Sequence, residues 1–151
     1  MEGEDTQDVV ELVLALMDRF RRHFLTAVTN VALTPSQAHA LLQLDVPLSQ
    51  RELAHCLHYD ASNITAIVDG LEQRGLVERR VDPGDRRVRR IMVTRAGADV
   101  LGKLRQRLRD GAPVTGELDG EEQAELCRLL AKVLREASPG GWFGGVSRSS
   151  A

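Results

Sequence analysis

The chain has 151 residues, enough to bury one core and too few for two independent domains. Its formal net charge is −2, yet residues 74–95 hold eight arginines against three acidic residues, a local charge of +5 that favours a polyanionic partner. The acidic opening MEGEDTQD is unlike a secretory signal, and no apolar run approaches the roughly 20 residues that span a bilayer, so we expect a cytoplasmic protein without a membrane partner.

An amphipathic helix is predicted for the first segment. Its apolar residues recur at three- and four-residue steps, and they are Val9, Val13, Leu16, Phe20 and Phe24. Neighbouring apolar residues widen this stripe. A face this wide needs a partner that covers it.

Two short helices follow, and each begins with a capping box, in which a hydroxyl residue caps the helix and a Gln or Glu three residues later bonds back to it. Residues 34–37 (TPSQ) begin the second helix, with proline at its first position, and Pro47 limits its end. Residues 49–52 (SQRE) begin the third helix, which is expected to end near Tyr59.

A fourth helix is predicted from Ala61 to about Arg74, with Asp60 as its cap and Gly75 just past its end. The residues expected to face inward are Ile64, Ile67, Val68 and Leu71. Small and polar side chains remain at its exposed start, and these are Ser62, Asn63, Thr65 and Ala66.

Residues 76–94 (LVERRVDPGDRRVRRIMVT) are predicted to form a β-hairpin, because two arginine-rich, strand-like runs flank the turn DPGD at 82–85. Guanidinium groups on a projecting hairpin are suited to bind phosphate. Nucleic acid is therefore the leading partner.

Two further helices are predicted. Thr94 is expected to cap the fifth, whose apolar stripe is Val100, Leu101, Leu104 and Leu108. Residues 111–116 (GAPVTG) are expected to interrupt the helical structure after it. Residues 119–122 (DGEE) begin the sixth, whose apolar residues are Leu126, Leu129, Leu130, Val133 and Leu134. Residues 138–141 (SPGG) end it, and the tail over residues 139–151 is expected to be flexible. Trp142 and Phe143 in this tail either dock on a groove or a second subunit or remain exposed.

Two short capped helices followed by a basic hairpin is the order of a winged helix-turn-helix, in which one helix enters the major groove of DNA and the hairpin reaches the minor groove. Five segments carry a resemblance, namely LTPSQ at 33–37, LA at 53–54, VDGLEQRGLV at 68–77, DPGDRR at 82–87 and VTRAG at 93–97. On these segments the chain resembles the MarR family of bacterial transcription regulators over residues 33–108. The resemblance implies a mainly α-helical fold with a small β-wing and terminal dimerisation helices.

The resemblance also implies a role for each interface residue. The base-facing positions of the recognition helix would be Ser62, Asn63, Thr65 and Ala66. Ala66 departs from the polar or arginine residue common in the family, so it would contact only a thymine methyl group. In the wing, Arg87 would enter the minor groove and Asp85 would hold an arginine in place. Phosphate contacts or strand-face charges would be Arg86, Arg89 and Arg90.

A homodimer is a further implication of the resemblance. Residues 1–32 would form an N-terminal dimerisation helix, 33–95 the DNA-binding region, 96–138 the C-terminal dimerisation helices and 139–151 the tail. The expected dimer contacts are Val13, Phe20, Leu126, Leu130, Val133 and Leu134. The family implies a ligand-responsive repressor on a palindromic operator, controlled by a small aromatic or anionic effector that no residue here identifies.

Other functions fit the sequence less well. The four histidines, at 23, 39, 55 and 58, are too scattered for a metal site. Cys56 and Cys127 lack metal or redox spacing and are expected to be small core residues, with thiol sensing as the weaker alternative. Without a phosphate loop, a nucleophile elbow or a paired acid and base, neither catalysis nor a cofactor is expected. The main alternative is a winged-helix scaffold or protein-interaction module that does not bind DNA.

Overall fold

The computed structural model describes residues 2–114 and 116–134, and this part of the chain folds into six helices and three strands. In chain order they are α1 (Glu2–Asn30), α2 (Pro35–Gln43), β1 (Leu48–Ser49), α3 (Gln50–Leu57), α4 (Ala61–Gln73), β2 (Val77–Val81), β3 (Arg89–Val93), α5 (Arg95–Arg109) and α6 (Gly120–Leu134). The predicted fold class, mainly α-helical with a small β-wing, is therefore confirmed. None of the described helices is long and apolar enough to cross a membrane.

The capping signals at the starts of α2 and α3 act as predicted. Thr34 Oγ1 accepts a hydrogen bond from the backbone N–H of Gln37, and Ser49 Oγ accepts one from Glu52, both at 3.2 Å. The Gln37 and Glu52 side chains accept from the cap backbones in return, at 3.2 and 2.7 Å. Asp60 differs from the prediction: it precedes α4 in an extended conformation, but its side chain makes no capping hydrogen bond.

One core lies among α2 to α5 and the sheet, and the last turns of α1 complete it. Its largest fully buried side chains are Leu41, Leu53, Ile64, Leu71, Ile91, Leu104, Val28, Val68 and Val77. The inward faces predicted for the fourth and fifth helices are confirmed, with Ile67, Val100 and Leu108 half-buried at the margin of the core. We call residues 33–109, which carry most of this core, the body.

The sheet has the strand order β1-β3-β2, and both pairs of strands are antiparallel. β2 and β3 form the predicted hairpin, with Val77 opposite Val93. We call residues 77–93 the wing. β1 was not predicted, because a two-residue strand is too short to show an alternating pattern. Its Leu48 pairs with Ile91 and ties the start of α3 to the wing.

A close junction joins the wing to α5. Gly75 follows α4 with φ of 68°, in the left-handed region that glycine adopts most easily. Thr94 caps α5, since its Oγ1 accepts from the Gly97 N–H at 3.0 Å, and the same hydroxyl donates to the Gly75 carbonyl at 2.6 Å. A Cβ atom on Gly97 would lie 1.9 Å from the carbonyl oxygen of Leu76. Only glycine fits at that position.

Two helical surfaces outside the body remain uncovered. α6 contains no buried residue, and Val133 within it is 75% exposed. In α1, Leu12 is 70% exposed and Val13 is 49% exposed. We call these two surfaces, on residues 8–20 and on α6, the arm. The predicted interruption over residues 111–116 falls between the end of α5 and the start of α6.

The cysteines are less buried than expected. Cys127 is exposed, so the prediction of a core position was wrong, and Cys56 is half-buried. Cys127 is exposed because α6 packs against no other part of the described chain closely enough to bury any of its residues. The predictions made for the tail, including Trp142 and Phe143, lie outside the described residues.

Candidate nucleic-acid interface

The exposed start of α4 is set by the packing of its opposite face. Ile64 and Val68 are fully buried against the core. Because a helix repeats every 3.6 residues, the opposite face of its first turns points toward solvent. The exposed residues of this face include the four that the sequence indicated, Ser62, Asn63, Thr65 and Ala66. We call them the α4 surface, and their contact with bases stays a prediction.

Thr65 is engaged in hydrogen bonds inside the protein. Its Oγ1 donates to the carbonyl oxygen of Ala61 at 2.9 Å, one turn earlier in α4. The same oxygen accepts a hydrogen bond from Nε2 of Gln50, the first residue of α3. Gln50 therefore belongs beside the α4 surface, and sequence reasoning missed it because the contact joins residues 15 positions apart.

Acidic residues organise the turn of the wing. Asp82 Oδ1 accepts from the backbone N–H groups of Gly84 at 2.7 Å and Asp85 at 3.1 Å. Asp85 Oδ1 accepts from the backbone N–H of Arg87 at 2.9 Å. Asp85 was expected to hold an arginine of the wing in place, and its contact is with the backbone of Arg87. The arginine side chain of Arg90 is held by Asp82, whose Oδ2 lies 2.6 Å from Nε of Arg90.

Some arginines of the wing are neutralised by carboxylates. Arg79 pairs with Asp69, at 2.6 Å, and with Glu72. Arg90 bridges Asp82 of the wing and, at 2.5 Å, Glu52 of α3. Of the two roles left open for Arg90, the structure thus favours a strand-face charge over a phosphate contact.

The pKa values of the carboxylates reflect these contacts. The pKa of Asp82 is lowered chiefly by the hydrogen bond from Arg90, followed by the backbone N–H of Gly84. The pKa of Glu52 is lowered first by the backbone N–H of Ser49, and Arg90 is a smaller cause. Both groups therefore stay ionised and hold Arg90 in place near neutral pH.

Near the start of α3 and in the wing, four arginines form no ion pair with the acidic side chains of the described residues, namely Arg51, Arg86, Arg87 and Arg89. Three of these four line an open depression of about 340 Å³ between the start of α3 and the wing. The complete lining is Ser49, Gln50, Arg51, Arg79, Arg87, Val88, Arg89 and Ile91. We call it the cationic depression. The sequence did not indicate Arg51 as a binding residue, because it lies inside the capping box at 49–52 and that motif predicts only the start of a helix.

The histidines do not assemble into a metal site. Among the described residues no group of three or more His, Cys, Asp or Glu side chains could hold a metal ion. His23 Nε2 lies 3.2 Å from the carbonyl oxygen of Leu108, while the rings of His55 and His58 lie 6.4 Å apart in α3 and just after it. His39 stacks on a phenylalanine ring, and burial lowers its pKa.

Two comparisons of sequence place the chain among known proteins. A family model described as MarR family matches residues 33–88, which cover α2, α3, α4 and the first strand and turn of the wing. A protein from Thauera aromatica, named as a putative transcriptional regulatory protein for the hcr operon, is 31% identical over 123 residues. The match covers 79% of this chain and 74% of the relative.

Solved structures have the same fold. A MarR family protein from Bacillus stearothermophilus superimposes with a TM-score of 0.79 at 27% identity, covering 90% of this chain and 97% of that one. A point mutant of MepR from S. aureus, bound to an oligodeoxyribonucleotide, gives a TM-score of 0.60 at 20% identity, covering 84% of this chain and 96% of that one. At that identity the second likeness shows the fold alone. The family match, the Thauera relative and the shared fold together establish that the chain belongs to the MarR family of transcription regulators.

Proposed function

We propose that this regulator binds double-stranded DNA as a homodimer and recognises a palindromic operator. The observation that carries the proposal is the position of the α4 surface beside the cationic depression, to which the hydrogen bond from Gln50 to Thr65 joins it. Uncharged side chains suited to base edges and unpaired arginines suited to phosphate thus lie next to each other. No carboxylate of the described residues lines the depression.

The dimensions of the two grooves of B-DNA suit the start of α4 and the turn of the wing in different ways. The major groove is wide enough for one helix, so the start of α4 would enter it with Ser62 and Asn63 toward the base edges. Arg86 and Arg87 in the turn of the wing are exposed, so Arg87 would reach the neighbouring minor groove and Arg86 would lie near the phosphates beside it. The predicted role of Arg87 in the minor groove is retained in this proposal.

The arm supports a homodimer. A wide apolar surface in water is unfavourable, and soluble proteins cover such surfaces with a partner. The predicted contact residues Val13, Leu130, Val133 and Leu134 are all exposed in the single chain, whereas Phe20 and Leu126 are partly covered. A second copy would cover all six and would place two recognition helices on successive turns of a palindrome.

The finer parts of the proposal come from the family alone. They are the repressor role, a small aromatic or anionic effector, and action in the cytoplasm. In this proposal the bound dimer blocks a promoter until the effector changes the spacing of its two recognition helices.

Selection from a pool of random duplexes tests the proposal. We expect the full chain to recover a palindrome whose half-sites lie about ten base pairs apart. Its affinity for random duplex should fall steeply as salt rises, because each phosphate contact releases a counterion. A winged-helix scaffold without DNA binding would recover no sequence and show no salt-dependent binding, and that result would overturn the proposal.

A further inference from the structure

Gln50 joins two surfaces of the interface. It is the first residue of α3, its Nε2 donates to Thr65 Oγ1, and it also lines the cationic depression. One side chain therefore connects the surface expected to face bases with a surface suited to phosphate. Neither the capping box nor the apolar pattern around Gln50 requires a glutamine at this position.

The hydrogen bonds of Thr65 determine which end of the Gln50 amide faces it. A threonine hydroxyl has one hydrogen, and Thr65 donates it to the carbonyl oxygen of Ala61 at 2.9 Å. Toward Gln50 the hydroxyl can therefore only accept, so the NH2 group and not the amide oxygen must lie on the Thr65 side. One N–H of Gln50 remains to bind another acceptor, and Thr65 has no hydrogen left to donate to a base.

The remaining N–H lies in a region of positive charge. Arg51, Arg87 and Arg89 line the same depression, and none of them is paired with an acidic side chain of the described residues. Arg79, which also lines it, is already paired with Asp69 and Glu72. A phosphate oxygen is the acceptor that fits one amide N–H among unpaired guanidinium groups, because it is charged and accepts several hydrogen bonds.

We propose that Gln50 is a positioning residue that donates one N–H to Thr65 and the other to a phosphate oxygen of the DNA backbone. This inference rests on the proposed function, since it requires duplex DNA as the partner. The phosphate contact sets the depth and register of α4 on the duplex. The bond to Thr65 holds the Gln50 side chain in the conformation that reaches the phosphate. Hydrogen-bond donation to bases then falls to Ser62 and Asn63.

A cycle of protein and DNA variants tests the contact. The duplex recovered by selection is remade with a single uncharged methylphosphonate in place of each phosphate in turn, and each version is titrated with the parent protein and with Gln50→Ala. We expect Gln50→Ala to weaken binding to the unmodified duplex about tenfold per subunit, as for a lost hydrogen bond to a charged group. In each half-site, one phosphate position should stand out. A methylphosphonate at that position should weaken binding by the parent but have little further effect on binding by Gln50→Ala. A purely structural role for Gln50 would not produce this dependence on one phosphate.

Two further variants complete the test. Thr65→Val keeps the shape of the side chain but removes the hydroxyl that holds Gln50. The methylphosphonate at the same position should therefore weaken this variant less than it weakens the parent, but more than it weakens Gln50→Ala. Gln106→Ala, at an exposed glutamine of α5 outside the depression, should behave as the parent. Thermal melting verifies that each variant folds.

The outcomes separate this inference from the proposed function. If the parent binds its duplex but Gln50→Ala binds equally well, the inference is wrong and the proposed function stands. The same holds if every methylphosphonate weakens Gln50→Ala and the parent alike. If the parent recovers no duplex, the proposed function fails, and the inference fails with it.

Discussion

The side of the body that carries the α4 surface and the wing tip is exposed, and so is the arm, but their chemistry is opposite. On the body the exposed groups are polar or cationic, as at Asn63 and Arg87, and water solvates them well. On the arm they are apolar, as at Leu12 and Val133, and water solvates them poorly. This difference is the reason that the proposed function gives the arm a permanent partner and the body a reversible one.

Salt should separate these two partners. Apolar association depends little on charge screening and is strengthened by excluded salts such as sulfate. Phosphate binding weakens steeply with salt, because counterions compete for the same charges. A regulator built in this way can leave its operator while remaining a dimer. The following variants alter one surface or the core between them, starting with the largest expected effect.

Leu130→Asp should remove the dimer and lower operator affinity by about 10²- to 10⁴-fold, because two linked recognition helices gain from effective concentration. Leu130 is 43% exposed in the single chain, and a carboxylate buried there in a dimer would lie unpaired among apolar residues. Light scattering measures the assembly, and DNA titration measures the affinity.

Ala124→Asp is the matched control, because it adds the same charge to the exposed opposite side of α6. This variant should remain a dimer and bind DNA as the parent does. A Leu130→Asp protein that melts normally and stays dimeric would show that the surface of α6 is not the interface. A parent that is monomeric and still binds a palindrome tightly would refute the two-fold arrangement.

Gly97→Ala should destabilise the body by about 3 kcal/mol, as expected for an overpacked core position. The added Cβ would lie 1.9 Å from a backbone carbonyl oxygen, so α5 would have to move away from Leu76. Gly102→Ala in the same helix is the control, since a Cβ there meets nothing within 4 Å. That change should stabilise the helix by about 0.5–1 kcal/mol. Denaturant unfolding of both variants measures the difference, and equal effects would contradict the close approach at Gly97.

The helices of the body could be predicted because their ends are local signals. The capping boxes at Thr34 and Ser49, and the glycine after α4, each lie within a few residues of the boundary that they set. The same is true of the interruption after α5. The wing followed from two strand-like runs and one turn. These features depend on hydrogen bonds between near neighbours in sequence, so no tertiary information was needed.

The site could be predicted only in part, because its finer contacts join distant residues. Sequence indicated which residues of α4 would be exposed, since helical periodicity alone decides that. It did not indicate that Gln50 binds Thr65, or that Arg90 reaches Glu52 of α3. It also did not indicate that Asp82, rather than Asp85 in the same turn, binds the Arg90 side chain, because only the fold decides which carboxylate faces Arg90.

Asn63→Ala should cost about 1–3 kcal/mol of binding free energy at one base position in each half-site. Binding to random duplex should be nearly unchanged, because a base-edge contact contributes discrimination rather than general affinity. Titration of the parent and variant against a series of single base-pair changes measures this. An equal loss on every sequence would place Asn63 against the backbone instead of the bases.

Arg87→Ala should weaken operator and random duplex alike, by about fivefold per subunit near physiological salt, and should reduce the slope of log affinity against log salt by about one per subunit. Arg80→Ala in β2 is the control: Arg80 is also exposed, but it already pairs with Glu78 at 2.6 Å. Its loss should change the slope much less, because a neutralised arginine displaces fewer counterions from the DNA. Titrations from low to high salt measure both slopes. Unchanged binding by Arg87→Ala at low salt would refute the role of the wing, and equal slopes for the two variants would show that ion pairing within the wing does not select which arginines contact DNA.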